Sequence, residues 1–106
     1  MAKPWKGHCT QNGSGRASYE VFEAEVNFLS EFSKVLEGLG FATYRQPIVG
    51  LDEVFLDYTN GDVRLTIGWD NWSGCFVFAW EPEGDPFVIE AGRQIALVVE
   101  EINAKG

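Results

Sequence analysis

Histidine is almost absent from this sequence, since His8 is its only histidine. Cysteine is nearly as rare: Cys9 follows His8 directly, and Cys75 lies far along the chain. A structural zinc ion needs four ligands, and no second pair stands at ligand spacing from His8-Cys9, so we expect no metal site. Two such distant cysteines do not form a disulfide framework, and we interpret both as free thiols in a reducing compartment.

Long apolar runs and cofactor motifs are also missing. The longest apolar run, Cys75 to Trp80, is too short to cross a membrane, and the first residues hold no apolar stretch typical of a signal peptide. Gly38-Leu39-Gly40 is read as a helix end, because no phosphate-binding spacing follows it. We therefore expect a cytoplasmic protein that binds neither a membrane nor a cofactor.

Positive charge is scarce. The chain holds 16 acidic and 8 basic side chains, a formal charge of -8. Three of the basic residues and none of the acidic ones lie in residues 1–18, so residues 19–106 hold 5 basic and 16 acidic side chains, a charge of -11. A domain with this charge repels nucleic acid and attracts basic proteins. Acidity that serves solubility alone is the alternative interpretation.

Groups with catalytic chemistry are few. Asp57, Asp62 and Asp70 resemble a general acid–base set, but strand alternation and turn chemistry account for all three. Ser73-Gly74-Cys75 has no base beside it in any nucleophile motif. We therefore predict that this chain is not an enzyme.

The first 18 residues show no apolar periodicity and contain three glycines, a proline and small polar residues. They predict a flexible arm at residues 1–18 and one folded domain at 19–106. Docking of Trp5 on the domain is the alternative. From Ser18, a predicted N-cap, apolar residues recur at helical spacing as far as Leu39, and Gly40 ends this first helix.

The most informative stretch is the hairpin around Asn60-Gly61, a dipeptide that favours a two-residue type I′ turn. That turn would pair Tyr58 with Val63 and Asp57 with Arg64. One face of the hairpin is then apolar and the other is mostly polar. The apolar face carries Val54, Leu56, Tyr58, Val63, Leu65 and Ile67.

A further strand, Cys75 to Glu81, has two plausible registers. If Asp70 pairs with Gly74, then Phe76, Phe78 and Trp80 join Phe55 on the polar face as an exposed aromatic patch, typical of a binding surface or homodimer seam. A shift by one residue buries these three aromatics. Burial of so much apolar surface favours the shifted register.

The last segment places Val88, Ala91, Ile95, Val98 and Ile102 on one helical face. Asp85-Pro86 is a suitable helix start, but Gly92 weakens the first turns, so we expect the helix to begin near Glu90. With a strand at Phe41–Gln46, the order is α-β-β-β-β-α. We predict an α+β fold: a four-stranded antiparallel meander with both helices packed on one face.

The segment from Ile67 to Ala79, IGWDNWSGCFVFA, lies between an acidic N-terminal helix and a C-terminal helix. In this arrangement the chain resembles the small acidic immunity proteins of bacterial polymorphic-toxin and contact-dependent inhibition systems. The resemblance covers roughly residues 19–104. It implies a non-catalytic protein that binds a basic toxin domain and blocks its site. The residues that would bind the partner are Asp57, Asp62, Asp70, Glu81, Glu83 and Asp85, with Trp72 as apolar anchor.

Two other functions stay open at the level of sequence. The aromatic content is compatible with a small-molecule-binding module, monomeric or dimeric, whose pocket between sheet and helices is lined by Phe32, Tyr58, Trp69 and Trp80. An accessory protein from mobile DNA without a ligand is the third interpretation.

Overall fold

The computed structural model describes residues 5–105 of the chain. Two α-helices and a seven-stranded antiparallel sheet make up the fold, with short 3-10 helices at Val26–Phe28 and Pro82–Gly84. The elements are β1 (Gly7–Gln11), β2 (Ala17–Val21), α1 (Leu29–Gly38), β3 (Ala42–Thr43), β4 (Ile48–Val49), β5 (Glu53–Asn60), β6 (Val63–Asp70), β7 (Gly74–Ala79) and α2 (Asp85–Lys105).

The α+β class is confirmed, whereas the four-stranded meander is wrong in detail. The strands follow the order β1-β2-β7-β6-β5-β3, and β4 also pairs with β5. Strands β5, β6 and β7 form the predicted meander. The predicted strand at 41–46 is reduced to the two residues of β3, and the N-terminal β1–β2 hairpin extends the sheet beyond β7.

The hydrophobic core lies between one face of the sheet and the two helices. Alternation along each strand sends Leu65, Ile67 and Val77 into this core, where none of them is exposed. Phe32 of α1 and Ile95 of α2 reach the same cluster from the other side. We call this side of the sheet the helix face and the opposite side the open face.

The N-terminal residues do not form the predicted arm. Ser18 lies in β2 rather than at a helix start, and α1 begins only at Leu29. Asn12 closes the β1–β2 turn, because its Oδ1 accepts hydrogen bonds from the backbone N–H groups of Ser14 and Arg16 at 3.0 and 3.1 Å. Trp5 is buried against the ring of Phe28. Residues 1–4 of the predicted arm lie outside the described residues.

The β5–β6 hairpin has the predicted faces but different pairs. The loop consists of Gly61 and Asp62, so Tyr58 pairs with Leu65 instead of Val63. Gly61, the first loop residue, has a φ of 62°. A two-residue hairpin turn with a positive φ at its first loop residue does not need a positive φ at the second loop residue as well. Because the pairing moved by two residues, every side chain kept its predicted face.

Helix α2 begins at Asp85, not near Glu90. Gly92 has a packing role that outweighs its low helix propensity: a Cβ there would lie 2.6 Å from Cδ1 of Tyr19 in β2. Within residues 5–105, no helix has the length and apolar character needed to span a membrane.

Candidate binding face

Strand β7 adopts the register that places its aromatic residues on the open face. Asp70 pairs with Gly74 and Gly68 with Phe76, so the shifted register favoured by burial is wrong. The backbone of Gly74 is compatible with this register only because residue 74 has no side chain. It has a φ of 82°, and a Cβ there would collide with the carbonyl oxygen of Val21, so glycine alone fits at the start of β7.

Four aromatic side chains form a continuous row across the open face, which neither helix covers. We call Phe55, Phe76, Phe78 and Trp80 the aromatic row. The ring centroids of its successive members lie 5.9, 6.3 and 5.8 Å apart. Gly68 makes the row possible, because a Cβ there would lie 2.6 Å from Cζ of Phe76 and 3.0 Å from Cδ1 of Phe55.

A chain of hydrogen bonds runs beneath the end of the aromatic row. Trp80 donates from Nε1 to Oγ1 of Thr66 at 2.8 Å, and Thr66 donates from Oγ1 to Oδ1 of Asp57 at 2.5 Å. Nε of Arg45 lies 2.8 Å from the other carboxylate oxygen, Oδ2. Asp57 and Thr66 are both buried, although they lie on the face without helices. Asp57 therefore has both oxygens engaged within its own chain.

A cavity of about 330 Å³ opens above this polar chain. Its apolar walls come from the aromatic row and from β4, and its polar groups are Asp57, Thr66 and Arg45. The wall residues are Ile48, Phe55, Phe78 and Trp80. An apolar cavity with a carboxylate at its base can hold a side chain or small molecule that has an apolar stem and a cationic head.

The other cation at this end of the row is Arg64, whose guanidinium lies 5.3 Å from the ring centre of Trp80. Its Nε and backbone N–H both donate to the carboxylate of Glu81. Burial by itself would raise the pKa of Glu81, but the hydrogen bonds and charge of Arg64 outweigh it and lower that pKa. Both arginines beside the aromatic row are thus neutralised.

Acidic side chains without a described cation occur elsewhere on the open face. By register, Glu20 stands beside Phe76, and Glu53 stands opposite Asp70 at the end of the sheet where β7 begins. None of the described residues forms an ion pair with these three. Like charges opposite each other on neighbouring strands destabilise a sheet, and a cation between them would relieve the repulsion.

The structure does not bring the predicted partner-binding residues together. Asp62 lies at one end of β6 and Trp72 beyond the other, and a strand of eight residues is roughly 23 Å long. Glu81 and Glu83 follow β7 at the end near Asp62. Asp62, Glu81 and Glu83 therefore lie far from Asp70 and Trp72, and the predicted partner-binding residues do not form one contiguous surface.

Several of these carboxylates also have partners within the chain. Asp57 and Glu81 pair with arginines, as described above. Asp70 accepts hydrogen bonds from the backbone N–H groups of Trp72 and Ser73 at 2.9 and 2.6 Å. Asp85 accepts one from Ala17 and lies 3.5 Å from Arg16. Asp62, Glu83 and the indole of Trp72, which is 77% exposed, keep the accessibility expected of contact residues.

The predicted ligand pocket of Phe32, Tyr58, Trp69 and Trp80 does not exist as one site. Phe32 and Tyr58 are core residues on the helix face, and Trp69 packs against the same core. Trp80 lies on the opposite side of the sheet. Tyr58 uses its hydroxyl within the core, where it donates to Oγ of Ser33 at 2.8 Å.

Three residues of the cavity, Arg45, Ile48 and Thr66, were missed at the level of sequence. A signal for Thr66 was present, because an aspartate within an apolar strand needs a partner on the neighbouring strand. Arg45 lies in an irregular connection, where no periodicity predicts its direction.

Other reactive groups lie apart from this cavity. Burial raises the pKa of the Cys75 thiol to about 12, which keeps it protonated and a poor nucleophile at neutral pH. Residues 5–105 contain no group of three or more histidine, cysteine or acidic side chains placed to hold a metal ion.

Comparisons with protein-family models, with curated proteins and with solved structures found no match to this chain. Its function is therefore argued from its own geometry, and the resemblance to immunity proteins stays a prediction.

Proposed function

We propose that this chain is a non-catalytic protein-binding domain whose binding surface is the open face of the sheet. The observation that carries the proposal is the register of β7, which aligns the aromatic row on the side without helices. Contiguous exposed aromatic surface is typical of binding sites, and aromatic residues dominate the energetics of protein interfaces.

The proposed partner is a basic protein. The chain carries a formal charge of -8, and the two arginines beside the aromatic row are each neutralised by a carboxylate. The acidic residues Glu20, Glu53 and Asp70 lie near the Phe55–Phe76 end of the row without a described cation. Complementary charge of this kind accelerates association and excludes acidic partners. In the narrower form of the proposal, which follows the resemblance, the partner is a toxin domain and the chain is its immunity protein.

The experiment needs a candidate basic partner, taken from the product of a neighbouring gene or from a pull-down in the source organism, and measures its binding. Phe78→Ser removes a central member of the row and is expected to weaken binding at least about 30-fold. The matched control is Leu97→Ser, because Leu97 is 53% exposed on α2 and lies outside the open face. Titration calorimetry gives the affinities, and circular dichroism checks that each variant is folded.

Salt dependence tests the charge component separately. Screening acts over about 8–10 Å at physiological ionic strength, so the association rate should fall steeply as salt is added. A partner that binds Phe78→Ser and the parent equally would exclude the open face as the interface. Association that salt does not change would exclude the basic partner class.

A further inference from the structure

We propose that the cavity above Asp57 is a receptor for a guanidinium group, and that Arg45, at its wall, pairs with the Asp57 carboxylate in the free protein. On this proposal an arginine side chain of the partner displaces Arg45 and pairs with Asp57. That this arginine comes from a protein partner rests on the proposed function. The affinity of the cavity for a guanidinium does not depend on the proposed function.

The carboxylate of Asp57 is held in a fixed orientation. Its Oδ1 accepts the hydroxyl of Thr66, and that hydroxyl is fixed in turn by the indole N–H of Trp80. Only Oδ2 contacts a cation, at 2.8 Å from Nε of Arg45. The side chain of Asp57 is 11% exposed, so a carboxylate that loses this cation would be left largely desolvated. Exchange of Arg45 for another cation is therefore more favourable than loss of Arg45 alone, which would leave the buried carboxylate without a cation.

Arg45 is the exchangeable member of the pair. Its side chain is 52% exposed, and every residue from 42 to 51 is exposed. The strands in this segment, β3 and β4, have two residues each. Movement of Arg45 away from Asp57 therefore requires no change in the hydrophobic core. Its guanidinium also donates to the hydroxyl of Tyr44 at 2.8 Å, which gives it a resting position.

The walls of the cavity suit the rest of an arginine side chain. Phe55, Phe78 and Ile48 supply apolar surface for the three methylene groups, and aromatic faces attract a cation that lies over them. The nearest competing cation, Arg64, is paired with Glu81. A planar guanidinium fits a carboxylate better than an ammonium does, because it can present two parallel donors. We therefore expect arginine to bind more tightly than lysine.

The experiment titrates 15N-labelled protein with N-acetyl-arginine methylamide, and separately with a short peptide of alternating arginine and glycine. The indole N–H of Trp80 reports on the cavity, because it belongs to the hydrogen-bonded chain that ends at Asp57. Its NMR signal is assigned with Trp80→Phe. The lysine analogue of the small probe serves as the specificity control.

Arg45→Ala is the decisive variant. It removes the internal competitor, and because Arg45 is half exposed to solvent its pairing is weak enough that the affinity for the arginine probe should rise only about two- to sixfold over the parent. Arg45→Ala combined with Asp57→Asn should abolish the shift of the Trp80 signal. Glu83→Gln is the matched control, since it changes an exposed carboxylate that lies outside the cavity and pairs with no described cation, and it should leave the affinity for the probe within about twofold.

The outcomes separate this proposal from the proposed function. If the arginine probe does not shift the Trp80 signal in Arg45→Ala, the receptor proposal is wrong, even where Phe78→Ser shows that the open face binds a protein. Tighter binding of the peptide than of the small probe supports a protein as the source of the guanidinium. Equal affinities support a small organic cation, and would leave the cavity proposal intact while the protein partner fails.

Discussion

The two faces of the sheet are built from the same strands but meet different surroundings. On the helix face, Leu65 and Val77 are completely buried beneath α1 and α2. On the open face, Phe76 and Phe78 are half-buried by one another, and Trp80 is 48% exposed. Residues adjacent in sequence thus differ in burial because alternation sends them to opposite sides.

The comparison shows that large apolar side chains on a strand do not identify its covered face. The aromatic row has side chains as large as Phe32 of the core or larger, yet neither helix covers it. The two faces differ more clearly in their polar groups than in the size of their apolar side chains. The open face contains a buried acid with a hydroxyl and an arginine around it, whereas the core between sheet and helices is almost entirely apolar. Such a mixture is more typical of a binding surface than of a folding core.

The largest expected difference between the faces is in stability. Phe32→Ala, at a core position with no exposure, should lower the free energy of unfolding by about 3–5 kcal/mol through lost burial and a cavity. Phe76→Ala on the open face should cost less, about 2 kcal/mol, because its side chain is only partly buried. Urea denaturation at low protein concentration measures both. Equal losses would show that the open face is covered, for example by a second copy of the chain.

The next prediction concerns the N-terminal part of the sheet. Trp5→Ala should cost about 3 kcal/mol, because the indole is buried against Phe28 at the edge of the core. Trp72→Ala is the matched control: its indole is 77% exposed, and the change should stay within about 0.5 kcal/mol. Thermal or urea unfolding of the isolated variants gives both values. A loss below about 1 kcal/mol for Trp5→Ala would restore the flexible arm predicted from sequence.

Sequence alone predicted the faces of the hairpin because the side-chain period of a strand does not depend on which residues pair. It missed the loop position because Asn60-Gly61 and Gly61-Asp62 both provide a glycine with positive φ, and tertiary packing decides between them. The hairpin of β1 and β2 was missed because all five residues of β1 are exposed and show no alternation. Its partner did carry a signal, since Ala17, Tyr19 and Val21 alternate with polar residues.

The candidate site was predictable only in part. The aromatic row follows from one of the two registers, but burial alone favoured the other. Gly74 ends the β6–β7 loop with a positive φ and lies against the backbone of Val21, which is distant in sequence. Periodicity contains no information about this long-range contact. The pairing of Asp57 with Arg45 likewise depends on the path of an irregular connection.

Glycine substitutions test what fixes the register of the open face. Gly74→Ala should cost at least about 2 kcal/mol, since it adds a collision with the carbonyl oxygen of Val21 to the strain of a positive φ. Gly61→Ala is the control, because its φ is also positive but a Cβ there meets no atom within 4 Å. Strain alone should make it cost about 1–2 kcal/mol. Gly74→Ala should also shift the amide NMR signals of β7. Unchanged amide signals, together with equal losses of stability in Gly74→Ala and Gly61→Ala, would show that Gly74 does not fix the register of β7.

The smallest expected effect is the pH dependence of the pair that borders the aromatic row. Arg64 lowers the pKa of Glu81 below its ordinary value of 4.5, so the folded state holds this carboxylate ionised more strongly than the unfolded state does. The stabilisation is therefore fully present above about pH 4.5 and is lost as the pH falls through the lower folded-state pKa. Because the pair is partly exposed, Glu81→Gln should lower the melting temperature by no more than about 3 °C at pH 7 and by less at pH 3.

The control for this effect is Glu83→Gln, which changes an exposed carboxylate two residues away that pairs with no described cation. Its melting temperature should follow that of the parent at both pH values. The Trp80 ring beside Arg64 gives a second measurement, since loss of Glu81 frees the guanidinium to move and should change the fluorescence of a Trp80-only variant. If Glu81→Gln destabilises the protein more at pH 3 than at pH 7, the sign of the linkage is reversed and Arg64 does not lower this pKa.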